Sequence, residues 1–108
     1  MARRLVRGEV RLCRFPSPDK ERPVLVLTRN SVIDHLGKVT IAPITSTIRG
    51  VDAEVFLNEA DGMKGPCAIN LHNIATISQN HLGPLVATLS APRLRAVCAA
   101  INYALGCD

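Results

Sequence analysis

Residues 22–28 read Arg22-Pro23-Val24-Leu25-Val26-Leu27-Thr28, and this run decides the fold class. Val24 to Leu27 are all apolar, which leaves no position to face water, so the segment is expected as a strand buried on both faces. Upstream, Pro16-Ser17-Pro18-Asp19-Lys20 is a loop, because prolines two apart cannot donate to a ladder. Before it, Gly8 to Cys13 alternates charged and apolar residues, with Val10 and Leu12 on one face of a first strand. Downstream, Ser31 to Gly37 turns the chain, Lys38 to Thr45 is a third strand, and Asp52 to Leu57 a fourth with Ala53, Val55 and Leu57 on one side. Asn58 to Pro66, with two glycines and a proline, is a loop. Cys67 to Leu71 and Asn73 to Ile77 read as strand interrupted by a bulge, and Leu85 to Leu89 as a last short strand.

The period then changes. Ser90 is a good N-cap and Pro92 falls in the first turn, where its missing N–H costs nothing. Leu94, Val97, Cys98, Ile101 and Leu105 follow at helical spacing, and Gly106 is the stop. Many short strands followed by one amphipathic helix predict a mainly β, α+β fold: a small, strongly bent antiparallel sheet or open barrel with the helix packed on one side.

The 108 residues are expected as a single domain spanning 1–108. Hydrophobic residues at 47% against charged residues at 20% exclude a disordered chain. No apolar run is long enough to span a bilayer. The basic start, Met1 to Arg7, lacks the apolar region of a signal peptide. The expectation is a soluble intracellular protein without a membrane partner.

Net charge is +4, and its distribution is uneven. Residues 1–29 hold eight basic residues (Arg3, Arg4, Arg7, Arg11, Arg14, Lys20, Arg22, Arg29) against Glu9, Asp19 and Glu21, so the whole excess lies there. A concentrated basic region suits a polyanion, either a nucleic acid or an acidic protein tail. Aromatics are only Phe15, Phe56 and Tyr103, which argues against RNA binders that stack bases on aromatic platforms.

Cys13, Cys67, Cys98 and Cys107 show neither C-x-x-C pairing nor zinc spacing, and are expected as small buried or half-buried thiols. Among the scattered carboxylates only Asp52/Glu54 and Glu59/Asp61 lie close in sequence, and the second pair is read as solvating the Gly62 turn. No metal or other cofactor is expected. No Walker loop, G-x-S-x-G elbow or dinucleotide fingerprint occurs.

Two strings carry chemistry. Glu21-Arg22-Pro23 delivers an arginine from a loop straight onto the buried strand. Ile41-Ala42-Pro43-Ile44-Thr45-Ser46 ends a buried strand in a proline and two hydroxyls. A planar guanidinium matches a phosphate, and adjacent hydroxyls can donate to its oxygens; a surface salt bridge and an ordinary turn are the competing readings.

These strings, with Arg7-Gly8-Glu9-Val10, Val55-Phe56-Leu57, Asn73-Ile74-Ala75-Thr76-Ile77 and the helix from Ser90 to Leu105, resemble the MazF/PemK (Kid) family of bacterial toxin endoribonucleases in order and spacing across nearly the whole chain. The resemblance implies a small SH3-like antiparallel β-barrel with a C-terminal helix, shared by the CcdB and MazF toxins. It implies a cytoplasmic homodimer that cuts single-stranded RNA at short sequences without metal and is inhibited by a cognate antitoxin with an acidic tail. It makes Arg22 and Thr45 the catalytic pair and Ser46 a substrate-contacting hydroxyl. The implied reaction is attack of a ribose 2′-hydroxyl on the adjacent phosphate, leaving a 2′,3′-cyclic phosphate and a 5′-hydroxyl.

The chain departs from the family at two places. Its loop before Arg22-Pro23 is compact, Phe15 to Glu21, and His72, Asn73 and Ala75 stand where many members carry an acid, Gln and Arg. An imidazole titrates near neutral pH, which makes His72 the candidate proton carrier, with a structural histidine at a sheet edge as the other reading. His35 and His81 sit in turns and are expected to be solvated. Arg14, Lys20 and Arg49 are candidates to hold the RNA backbone, and Asn70 and Asn73 to read base edges or cap a bulged strand. The alternatives are a CcdB-like toxin that binds DNA gyrase, and an inactive SH3-like module for acidic peptides. The chain end, Tyr103-Ala104-Leu105-Gly106-Cys107-Asp108, lacks the terminal aromatics of the first.

Overall fold

The computed structural model describes residues 5–14 and 21–107. The strands are β1 (Glu9–Arg14), β2 (Glu21–Val26), β3 (Lys38–Thr45), β4 (Glu54–Leu57), β5 (Cys67–Asn70), β6 (Ala75–Ser78) and β7 (Leu82–Thr88). A one-turn helix α1 (Asn30–Ile33) follows β2, and α2 (Ala91–Leu105) closes the chain. The seven strands form one antiparallel sheet in the order β4-β5-β3-β2-β1-β7, with β6 also pairing with β3.

Residues 22–26 of the run that decided the fold lie in β2, flanked by β1 and β3, while Leu27 and Thr28 fall just past its end and are half-buried. The β2 side chains divide between two cores, as a strand buried on both faces requires. Val24 and Val26 pack with Leu5, Cys13, Ile33, Val39, Ile41 and Leu82. Leu25 packs on the other face with Val10, Ala42, Ile44, Leu57, Ile69 and the helix residues Val97 and Ala100. Each fully buried aliphatic side chain contributes about 1.5–3 kcal/mol of transfer free energy.

Strand bounds shift by a few residues from the expectation. Ser31 to Gly37 is not only a turn, since α1 occupies its start. Leu71–Asn73 forms a 3-10 turn where a bulge was expected, because the Asn70 side-chain oxygen accepts the His72 N–H and draws the backbone out of the ladder. The last strand begins at Leu82, three residues early, and carries Gly83 and Pro84. A proline is tolerated there because β7 is an edge strand, and its ladder with β1 is irregular between Arg11/Leu85 and Cys13/Leu82.

Helix α2 matches its signals: the Ser90 hydroxyl accepts the Arg93 N–H, Pro92 lies in the first turn, and Gly106 caps the end in the left-handed region at φ 71°. Its buried stripe is rotated from the expected one. Val97 and Ala100 are buried, Leu94, Ile101 and Ala104 pack beside them, and Cys98 and Leu105 are exposed. Alanines at 100 and 104 let the helix approach the sheet closely. Gly8 has φ +95° where its N–H reaches the Val26 carbonyl and its carbonyl receives the Leu89 N–H; an added Cβ would lie 3.0 Å from Leu94.

Two further expectations are corrected. Glu59 and Asp61 do not merely solvate the turn: Asp61 accepts from the Asn58 N–H at 2.9 Å and holds Arg93 of α2 through two contacts, 2.9 and 3.1 Å. The cysteines do not all retreat from water. Cys13 and Cys67 are buried, whereas Cys98 and Cys107 are exposed. His35 and His81 are exposed, as expected. No helix among the described residues is long and apolar enough to cross a membrane.

Candidate functional site

The site forms where β3 changes partners. Val24, Leu25 and Val26 pair with Pro43, Ala42 and Ile41, and there the ladder between β2 and β3 stops. The next residues of β3, Ile44 and Thr45, pair instead with Ile69 and Ala68 of β5. Pro23 and Pro43 sit at the opening, where neither has an N–H to carry the ladder on. Continued two pairs further, the β2–β3 register would set Arg22 opposite Thr45. The strands splay at that point, and the two residues line the space between.

That space has two compartments with Arg22 and Thr45 in both walls. The larger, of about 600 Å³, is mostly apolar: Leu12, Pro23, Ile44, Met63, Pro66, Cys67 and Val86, with Ser46 and Lys64 as its other polar members. The smaller, of about 310 Å³, is polar: Thr47, Arg49, Glu54, Asn70 and Asn73, backed by Pro43 and Ile44.

The local bonds that set these side chains are few. The Thr45 hydroxyl oxygen accepts the Thr47 N–H at 3.0 Å, which fixes the hydroxyl and turns the chain away from β5. The following loop is held by Glu54: its Oε1 accepts the N–H groups of Arg49 and Gly50, both at 3.0 Å. The Asn70 side-chain Oδ1 accepts the His72 N–H at 2.9 Å, leaving the side-chain Nδ2 to donate. Burial pushes the Cys67 thiol up, and the negative charge of Asp61 adds to it, so Cys67 is a protonated piece of wall.

Of the residues singled out in the sequence, Arg22, Thr45, Ser46, Arg49, Asn70 and Asn73 come together here. His72 does not line either compartment; it is exposed on the 3-10 turn beside them. Arg14, at the end of β1, lies outside both, 81% exposed and 3.8 Å from Glu21. Lys20 and the rest of the 15–20 loop lie outside the described residues. The basic excess is also partly structural. Arg11 pairs with Glu9 at 2.9 Å and bonds the Gly83 carbonyl, and Arg7 bonds the Leu27 carbonyl and the Cys98 sulfur.

Sequence reasoning missed Glu54, Thr47, Lys64 and Met63. Thr45-x-Thr47 was readable as a hydroxyl capping the chain two residues on; Glu54 gave no signal beyond its neighbour Asp52. Among the described residues, no three His, Cys, Asp or Glu side chains converge as a metal site would need. A guanidinium and two hydroxyls at the junction of an apolar and a polar compartment suit a phosphodiester flanked by two different groups.

Residues 6–105 match the family described as PemK-like, MazF-like toxins of type II toxin-antitoxin systems. The chain is 41% identical over 90 residues, 83% of its length and 87% of the relative's, to Endoribonuclease MazF3 of Mycobacterium tuberculosis. It is 36% identical over 103 residues, 94% of each chain, to Probable endoribonuclease MazF5 of the same organism. The solved structure of Mycobacterium tuberculosis toxin MazF-mt6 superposes with a TM-score of 0.85 at 37% identity, covering 93% of this chain and 98% of that one.

Proposed function

This chain belongs to the PemK-like, MazF-like toxins of type II toxin-antitoxin systems, and on that premise we propose that it is an endoribonuclease that cuts single-stranded RNA at short sequences, in the bacterial cytoplasm, until a cognate acidic antitoxin neutralises it. The observation that carries the reading is the opened β2–β3 ladder, which leaves Arg22 and Thr45 facing one space instead of each other's backbone.

The reaction is a metal-independent transesterification. The ribose 2′-oxygen attacks the adjacent phosphorus, the bond to the 5′-oxygen breaks, and a 2′,3′-cyclic phosphate and a 5′-hydroxyl remain. Arg22 clamps the non-bridging oxygens and stabilises their growing charge; a guanidinium stays protonated, so it serves as clamp and not as base. The Thr45 oxygen is held by the Thr47 N–H, which favours negative charge on it, so its proton is directed to the leaving 5′-oxygen. Ser46 donates to the phosphate from the apolar side. Arg49, Asn70 and Asn73 hold the neighbouring nucleotide in the polar compartment, and the exposed Arg14 steers the backbone from outside it. His72, exposed and outside both compartments, takes no part in this scheme. A homodimer would set two such sites along one RNA path.

The test is incubation of the purified protein with a long RNA in EDTA. Discrete cuts with cyclic-phosphate ends are expected, and Arg22→Ala should reduce them by about 10²–10³-fold while the circular dichroism spectrum is kept. Undiminished cleavage by that variant would remove the site assignment. RNA left intact by the parent protein would remove the nuclease reading in favour of a binding-only toxin or module.

A further inference from the structure

The scheme above lacks a proton acceptor for the 2′-hydroxyl, and we propose that Glu54 is that group, a reading that rests on the endoribonuclease assignment. The inference comes from what the two compartments contain. Arg22, Arg49 and Lys64 are cations with no lone pair to offer. Cys67 is a buried thiol held in its protonated form. Thr45, Thr47, Ser46, Asn70 and Asn73 are neutral. Among the described residues, Glu54 is the one carboxylate lining either compartment, and it shares the smaller one with Arg22 and Thr45.

Its placement follows from the fold. Glu54 starts β4 opposite Asn70 of β5, half-buried between the loop 46–50 and helix α2. One oxygen, Oε1, is occupied by the Arg49 and Gly50 N–H groups. That fixes the carboxylate plane and directs its chemistry through the second oxygen. The charged and titratable groups around it are Arg22 and Arg49 on the compartment side, and Asp52, Arg93 and Tyr103 on the side of α2.

The step balances without a co-reactant. Glu54 takes the 2′-hydroxyl proton as the 2′-oxygen bonds to phosphorus, Thr45 gives its proton to the departing 5′-oxygen, and the proton on Glu54 returns to Thr45 through solvent. A base of this kind contributes about 10²–10⁴-fold to the rate.

The experiment compares Glu54→Gln and Glu54→Asp with the parent protein on a long RNA, following kcat, KM and the pH profile. Gln keeps an oxygen for the Arg49 and Gly50 N–H groups, so the loop stays pinned while the base is lost. The expected result is a fall in kcat of at least about 10²-fold for Glu54→Gln with KM nearly unchanged, loss of the acid limb of the pH–rate profile, and partial recovery in Glu54→Asp. An RNA whose scissile 5′-oxygen is replaced by sulfur has a leaving group that needs no acid. It should restore cleavage to Thr45→Val and not to Glu54→Gln.

Parental kcat and pH profile in Glu54→Gln would overturn the proposal and leave Glu54 as a loop anchor. An acid limb that vanishes in His72→Ala instead would overturn it in favour of the histidine. Both outcomes leave the nuclease reading standing, since the parent protein still cuts; an inert parent protein would overturn both.

Discussion

Single residues at this site act through geometry that neighbouring backbone groups impose. Arg22 and Thr45 were legible because each sits in a short string whose strand context is readable: an arginine ahead of an apolar run, and a hydroxyl at the end of one. Glu54 was not legible, because nothing local distinguishes it from Asp52; only the pairing of β4 with β5 turns one of them toward Arg22. His72 shows the converse, since its chemistry is attractive in sequence while its turn carries it out of both compartments. Gly8 is the residue whose substitution should cost most for its size. A methyl there meets Leu94 at 3.0 Å and the backbone is held at a φ of +95°. Gly8→Ala should lower stability by about 2 kcal/mol, read as a shift of the urea midpoint, and a neutral result would contradict the close approach of β1 and α2.

At the scale of elements, caps and one ion pair join α2 to the sheet. Asn58 and Asp61 form a capping box on the 3-10 turn Glu59–Asp61, and Asp61 then reaches Arg93 in the first turns of α2. The Arg93 guanidinium holds the Asp61 carboxyl below its ordinary value of 3.8. A carboxyl lowered in the folded state adds stability that is present above the unfolded value and is lost as pH falls through the folded one. Asp61→Asn should therefore cost about 1–3 kcal/mol at neutral pH, from loss of a charged hydrogen-bonded partner. The gap between parent and variant should narrow as pH drops below about 4. Denaturation midpoints at pH 7 and pH 3 check this; an equal gap at both would show that Asp61 acts by its hydrogen bonds alone. The helix itself was readable end to end from Ser90, Pro92 and Gly106. Its buried stripe was not, because Ala100 and Ala104 outcompete the larger Cys98 and Leu105 once close packing on the sheet is the criterion.

For the whole molecule, the basic excess before residue 30 is divided between structure and surface. Arg7 and Arg11 tie the N-terminal segment to Leu27 just past β2, to β7 and to α2, so the charge left to meet RNA is smaller than the count suggests. The exposed aromatics are Phe56 and Tyr103 among the described residues, both on the α2 side and away from the larger compartment. RNA held by charge and hydrogen bonds without stacking should lose affinity steeply with salt. Measured with an uncleavable 2′-deoxy strand, the log–log slope should fall in magnitude by about 0.7 when Arg49 is replaced by Ala, the value for one phosphate contact on a single strand. An unchanged slope would place Arg49 off the backbone path.

The sequence by itself determined that this is a small β sheet ending in a capped helix, that Val24 to Val26 are buried on both faces, and that Arg22 opens one strand and Thr45 ends another. These are local facts, carried by hydrophobic period, prolines and caps, which act within a few residues. The tertiary structure decided that β3 abandons β2 after Pro43 and joins β5, and thereby that Arg22 and Thr45 face a shared space that Glu54 also lines. Strand register and partner choice arise from contacts between segments far apart in the chain, so no window of sequence contains them.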